Sequence, residues 1–317
     1  MDLPTPALPT GIAHPYTIFR PTEQTVPLVV ASPHSGRAYE PAFLRAARLG
    51  PLDLRRSEDS FVEELFASAT RHGAPLLCAQ FPRAYCDPNR EAWELDPAMF
   101  ADALPDWVNT TSPRVGAGLG TIARVVTSGE AIYRGKLHFA EAQARVRECW
   151  QPYHDALAQL IGETLERFGC CVLIDCHSMP AGSGRTGGPD FVLGDAHGTA
   201  CMPQITGLVE RALDAQGYNV RRNDPYAGGY VTRHYGRPRE DVHALQIEVA
   251  RRLYMDEASL QKSSGFDLLR RRLDGLLGEV ASSCRALLAA QLPEPGVRKK
   301  KAVPCDTAKF REETSKM

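Results

Sequence analysis

The chain has 317 residues, enough for one large α/β domain or two small ones with a sizeable core. Its hydrophobic share of 43% and charged share of 24% are ordinary for a soluble globular protein. A net charge of -1 gives no field to gather nucleic acid or a membrane surface. No apolar run reaches the length of about 18 residues needed for a transmembrane helix, and the N-terminus lacks the basic start and apolar run of a signal peptide. A cytoplasmic protein is expected, with no nucleic-acid or membrane partner; the oligomeric state stays open. Nine cysteines, an odd number with no CxxC spacing, read as reduced thiols rather than as a zinc ribbon.

The first twenty or so residues are proline-rich and aperiodic, and are expected to form an arm on the surface. Residues 27–32 are short, apolar and β-branched, and stop at Pro33-His34-Ser35-Gly36, as a buried strand ending in a loop would. The spacing of Phe61, Val62, Leu65, Phe66 and Ala69 predicts a helix over residues 60–72, with Asp59 or Ser60 as N-cap. Residues 74–80 form a second strand, which runs into the turn-rich stretch 81–90. Residues 110–136 read as a long loop over the sheet, and such loops are often functional lids. A long helical segment spans 137–168, with a break expected at Pro152, and Gly169 ends it. A central strand over 170–176 stops at His177-Ser-Met-Pro180. Further strands are expected at 191–194, 218–221 and 243–249, and helices at 206–216 and 264–290. The segment 223–239 reads as a loop, and the tail 293–317, with its three lysines at 299–301, as polar and disordered. Residues 1–292 thus read as a single domain. Alternating strands and helices predict an α/β fold with a mostly parallel sheet covered on both faces, whose ligands sit outside the carboxyl ends of the strands.

The polar residues of interest lie at those strand ends: His34, Asp59, Arg83, Asn89, Arg90, His177 and Glu248. Two imidazoles and a carboxylate are a common catalytic zinc set with one position open. A further carboxylate must then handle the proton, and Glu248 is the candidate. Arg83 and Arg90, with Asn89, suit a substrate carboxylate through the guanidinium fork. Each residue alone also has a plain structural reading: a hydrogen-bonded histidine, an N-cap for Asp59, a surface ion pair for Arg90. Glu58 rivals Asp59 as the ligand. Cys176 beside His177 invites a thiol hydrolase, but neighbours on a strand face opposite ways. His234, in the tyrosine-rich loop, is the least clear of the remaining histidines.

Taken together and in order, Ser32-Pro-His-Ser-Gly36, Ser57-Glu-Asp-Ser-Phe-Val-Glu-Glu-Leu65, Phe81-Pro-Arg-Ala-Tyr-Cys-Asp-Pro-Asn-Arg90, Asp175-Cys-His-Ser-Met179, Asn223-Asp-Pro-Tyr-Ala-Gly-Gly-Tyr230 and Ala244-Leu-Gln-Ile-Glu-Val-Ala250 resemble the N-formylglutamate deformylase family, itself similar to zinc carboxypeptidases and aspartoacylases. The resemblance implies a three-layer α/β/α fold around a central, mostly parallel (mixed) sheet, and one zinc ion, with other divalent metals possible, held by His34, Asp59 and His177. It implies Glu248 as general base and acid, and Arg83, Asn89 and Arg90 on the carboxylate of a small anionic N-acyl amino acid. The expected reaction converts N-formylglutamate to glutamate and formate, as in the last step of histidine breakdown. Alternatives are a deacylase acting on another N-acyl amino acid and a non-catalytic binding protein. Carboxypeptidases place a glutamate three residues after the first histidine; here Arg37 stands there, so the carboxylate must come from farther along.

Overall fold

The chain alternates short strands with helices, as its apolar runs foreshadow: β1 (Tyr16–Phe19), β2 (Leu28–Ser32), α1 (Pro41–Ala46), α2 (Pro51–Arg55), α3 (Val62–Leu65), β3 (Leu76–Ala79), α4 (Pro113–Gly116), α5 (Phe139–Arg145), α6 (Gln151–Phe168), β4 (Cys171–Met179), β5 (Phe191–Gly194), α7 (Pro203–Asp214), β6 (Val220–Arg222), α8 (Tyr230–Tyr235), β7 (Val242–Ala250), β8 (Met255–Asp256), β9 (Gln261–Lys262) and α9 (Phe266–Ala289). These elements come from a computed structural model that describes residues 12–126, 128–181 and 188–289. The expected tail 293–317 and the start of the N-terminal arm lie outside the described residues.

Seven strands form one sheet in the order β1-β3-β2-β4-β7-β5-β6. β1 on β3 and β5 on β7 are antiparallel, and the other neighbours are parallel. Strand side chains alternate between faces, so a sheet covered on both sides needs apolar residues at consecutive positions. That is the pattern of β2 and β4. Leu28, Val30, Val172, Ile174 and Cys176 pack in one core with α7 and α9, whereas Val29, Ala31, Cys171 and Leu173 pack in the other with α6. The result is three layers with the longest strands, β4 and β7, in the middle.

Several elements depart from the sequence reading, each for a physical reason. Residues 16–19 of the arm form the edge strand β1, where only one neighbour is needed and the apolar alternation is weak. The helix expected from residue 60 starts at Val62 and tightens to a 3₁₀ turn over Ala67–His72. Neither Asp59 nor Ser60 caps it; Phe61, at φ 67, sits between them and the helix in the left-handed region. The long helix does not break at Pro152. It widens into a π turn over Val146–Trp150, in which the Gln151 N–H reaches back to the Val146 carbonyl, and Pro152, which has no N–H to donate, follows directly on that widened turn. The central strand continues past Cys176 through Met179, so His177 lies within β4, not after it. Short helices α4 and α8 interrupt the two segments read as loops.

β7 also carries His243, whose Nδ1 accepts a hydrogen bond from the Met202 backbone N–H at 3.3 Å. Burial pushes its pKa down to about 4, with Asp241 opposing only weakly. Below the ordinary value near 6.5 the unfolded chain binds a proton that the folded chain refuses. Stability should therefore fall as pH drops, by about 2 kcal/mol between about pH 7.5 and 5 from this group. Urea unfolding at both pH values should show a smaller acid loss in His243→Gln than in the parent; equal losses would remove His243 as the cause.

Candidate metal centre and cleft

β2 ends beside the middle of the longer parallel strand β4, and the loop after β2 is drawn over the site. Gly36 allows this: a Cβ there would meet the Phe81 carbonyl oxygen at 2.2 Å, and Ala38 N–H donates to the Gln80 carbonyl. The Asp59 N–H donates to the His34 carbonyl at 2.9 Å, tying the two segments together. His34, Asp59 and His177 consequently meet. Nδ1 of His177 lies 3.1 Å from Nδ1 of His34 and 3.1 Å from Oδ2 of Asp59, and Nδ1 of His34 lies 3.3 Å from the same oxygen. All three side chains are buried.

Electron-pair donors crowded into such a triangle repel one another unless a cation sits among them. Tetrahedral ligands about 2.0–2.2 Å from zinc are separated by about 3.3–3.5 Å, close to these edges. The far sides of the rings are arranged accordingly. His34 Nε2 is 2.7 Å from Asp87 Oδ1, and His177 Nε2 is 3.0 Å from Asp175 Oδ2. At His34 the Asp87 carboxylate on Nε2 holds the proton there and turns the Nδ1 lone pair inward, as outer carboxylates do around metal-binding histidines; His177 Nε2 faces both Asp175 and the Asn89 amide nitrogen. Asp59 is treated likewise: Ser178 Oγ and Arg251 Nη2 each lie 3.2 Å from Oδ1, which leaves Oδ2 for the centre. The donor set therefore fits a single divalent cation. Burial alone would raise the Asp59 pKa, yet the two histidines hold it well below the usual carboxylate range, and Asp175 and Asp59 lift His177 well above its ordinary value against burial.

The choice between Asp59 and Glu58 is geometric. Glu58 points away, accepting from Tyr39 Oη at 2.8 Å, Arg55 Nε at 3.2 Å and Ser60 Oγ at 3.0 Å. Arg37, at the position of the carboxypeptidase glutamate, lies 3.8 Å from Glu63.

The triangle forms the floor of a cleft of about 540 Å³, lined also by Arg83, Asn89, Arg90 and Glu248, so all seven residues singled out in the sequence share it. Glu248 sits opposite His177 in the β4–β7 register, and its Oε1 accepts from Gln246 Nε2 at 2.8 Å. Burial pushes its carboxyl up to about 7, with His177 opposing and Asp59 adding to the rise. Arg83 donates to Asp87 Oδ2 at 2.9 Å. Arg90 donates to the carbonyls of Leu119 and Asn89. Asn89 is engaged more fully than expected: its Oδ1 accepts the Val231 N–H at 2.8 Å, and its Nδ2 is 3.2 Å from His177 Nε2. Gly229 makes that contact possible, since a Cβ there would meet the Asn89 amide at 2.3 Å.

Cys176 faces the apolar core, and burial pushes its thiol well above the ordinary range, so it cannot serve this cleft as a nucleophile. His234 stacks on Tyr230 and does not line the cleft. Sequence reasoning missed Asp87, Asp175, Ser178, Gln246 and Arg251. The strand period held a signal for two of them: Asp175 with His177, and Gln246 with Glu248, are two residues apart and so share a face.

A three-layer α/β/α fold whose sheet carries a buried His-Asp-His group beside the end of β2 is an arrangement that could hold a metal ion. Residues 26–255 match the sequence model described as N-formylglutamate amidohydrolase. An N-formylglutamate deformylase from Pseudomonas aeruginosa is 32% identical over 240 residues, covering 73% of this chain and 83% of that protein. Another from Pseudomonas putida is 29% identical over 243 residues, with the same coverage of 73% and 83%. Among solved structures, an N-formylglutamate amidohydrolase from Ralstonia eutropha superposes with a TM-score of 0.81 at 38% identity, covering 86% of this chain and 99% of that one. A gene product of Agrobacterium tumefaciens, 18% identical, shares the fold at a TM-score of 0.60 over 85% of this chain and 96% of its own. The chain belongs to the N-formylglutamate amidohydrolase family.

Proposed function

We propose that this protein is a zinc-dependent amidohydrolase that converts N-formyl-L-glutamate and water to glutamate and formate. The observation that carries the reading is the inward-facing triangle of His34, Asp59 and His177 beside a buried Glu248, in a chain of this family. Zinc is favoured by the mixed nitrogen and oxygen donors, and a divalent cation held there would polarise a carbonyl and lower the pKa of water.

The chain's own residues supply the rest. Glu248 takes the proton from the attacking water as its oxygen bonds to the formyl carbon. As the C–N bond breaks, Glu248 returns that proton to the departing nitrogen. A base with a pKa near 7 is suited to both transfers at neutral pH. Arg83 and Arg90 receive one substrate carboxylate, and Asn89 adds a second amide hydrogen beside them. Asp87 and Arg251 hold His34 and Asp59 in place. A cytoplasmic setting suits the buried thiols of the eight described cysteines, and no helix among the described residues is long and apolar enough to cross a membrane.

Metal analysis of the purified protein, run beside a formate-release assay on N-formyl amino acids and acetate release from N-acetylglutamate, tests this. About one zinc per chain and a preference for N-formylglutamate are expected. Faster release of acetate than of formate would favour the broader deacylase reading, and no turnover on any substrate would reject an enzyme of this class.

A further inference from the structure

We propose that Arg114 and Arg233 form a second anion subsite in the cleft, one that reads the side-chain carboxylate of an acidic N-acyl amino acid; this rests on the amidohydrolase reading above. Five arginines line the cleft against only three carboxylates, those of Asp59, Asp87 and Glu248. Three of the five are held by the protein itself. Arg251 binds Asp59, Ser178 and two backbone carbonyls; Arg83 binds Asp87; Arg90 binds two carbonyls and lies 3.8 Å from Asp87. Arg114 and Arg233 have no carboxylate within ion-pair distance among the described residues, yet both border the same space.

Both are carried by segments tied to the site. Arg114 lies in the first turn of α4, whose Ser112 cap accepts from Val115 N–H, and its carbonyl accepts from Leu119 N–H. The Leu119 carbonyl in turn accepts from Arg90 Nε. Arg233 lies on α8, whose start is pinned by Gly229 N–H to Gln246 Oε1 and by Val231 N–H to Asn89 Oδ1. Gln246 is the residue that donates to Glu248. The crowding of like charge is visible at Arg90, whose pKa burial pushes down to about 10, with Arg83 and Arg114 pushing the same way against Asp87. Guanidinium groups that line one cleft and have no carboxylate partner of their own among the described residues can receive an anion there. An N-formyl dicarboxylic amino acid has lost its ammonium charge and carries two carboxylates. Arg83 and Arg90 account for one, and Arg114 with Arg233 for the other.

The test compares kcat/KM for formate release from N-formyl-L-glutamate and from N-formyl-L-glutamine, which has the same shape without the side-chain charge. The zinc-loaded parent is expected to favour the acid. Arg114→Gln and Arg233→Gln should each shrink that preference by about tenfold, mainly through KM, and the double variant should abolish most of it. Arg233→Lys should restore part. Variants that lower both substrates equally, or leave the preference intact, would overturn the subsite while leaving the enzyme assignment standing. A parent that releases formate from neither substrate would sink the enzyme assignment first, and the subsite with it.

Discussion

Replacing Glu248 by glutamine should leave the cation in place and slow formate release by about 10³-fold or more. The residue is not one of the three centre-facing donors, so metal content should stay at parent level. Its carboxylate, by contrast, lies opposite His177 and outside the donor triangle, and its Oε1 accepts a hydrogen bond from Gln246 Nε2. Glutamine keeps the size and can still bond to Gln246 after a flip of its amide, but it cannot accept a proton from water. The loss should appear in kcat rather than in KM, because the arginines we propose bind the substrate carboxylates are untouched. Metal analysis with steady-state kinetics on N-formylglutamate checks both halves. A near-parental kcat would transfer the base to another group, and loss of the ion would instead make Glu248 structural.

How far this site could be read in advance depends on which physical rule governs each residue. The strands β2, β4 and β5 were legible as short apolar runs and β7 by its alternating character, and the carboxyl ends of such strands mark the ligand crevice. That rule alone pointed to His34, His177 and Glu248. Asp59 was harder. Its spacing fits a helix cap equally well, and only the turn through Phe61 at positive φ, invisible in composition, swings it from the helix toward the histidines. The groups that orient the donors were missed for another reason. Asp87 and Arg251 act on His34 and Asp59 from 53 and 192 residues away, where spacing carries no trace of the partner, whereas Asp175 lies two residues from His177 and only its strand period could have shown it. Edge strand β1 was lost because a four-residue strand paired on one side needs no strong pattern.

Removing a ligand should have the larger consequence. His177→Ala or Asp59→Ala should each reduce bound zinc from about one per chain to below about a tenth, and lower formate release by at least about 10³-fold. Glu58→Gln is the informative contrast. It breaks a buried ion pair with Arg55 and should cost stability, yet it should keep the ion, because Glu58 lies outside the donor triangle. The same logic predicts that chelation lowers the melting temperature of the parent and that stoichiometric zinc restores it. Two inward Nδ1 atoms and Asp59 Oδ2, each fixed from behind by a buried partner, cannot turn away from one another once the cation leaves. Elemental analysis and thermal unfolding of the three variants read this out. Full activity in protein stripped of metal, or zinc lost on Glu58→Gln and kept on Asp59→Ala, would contradict the assignment of the cage.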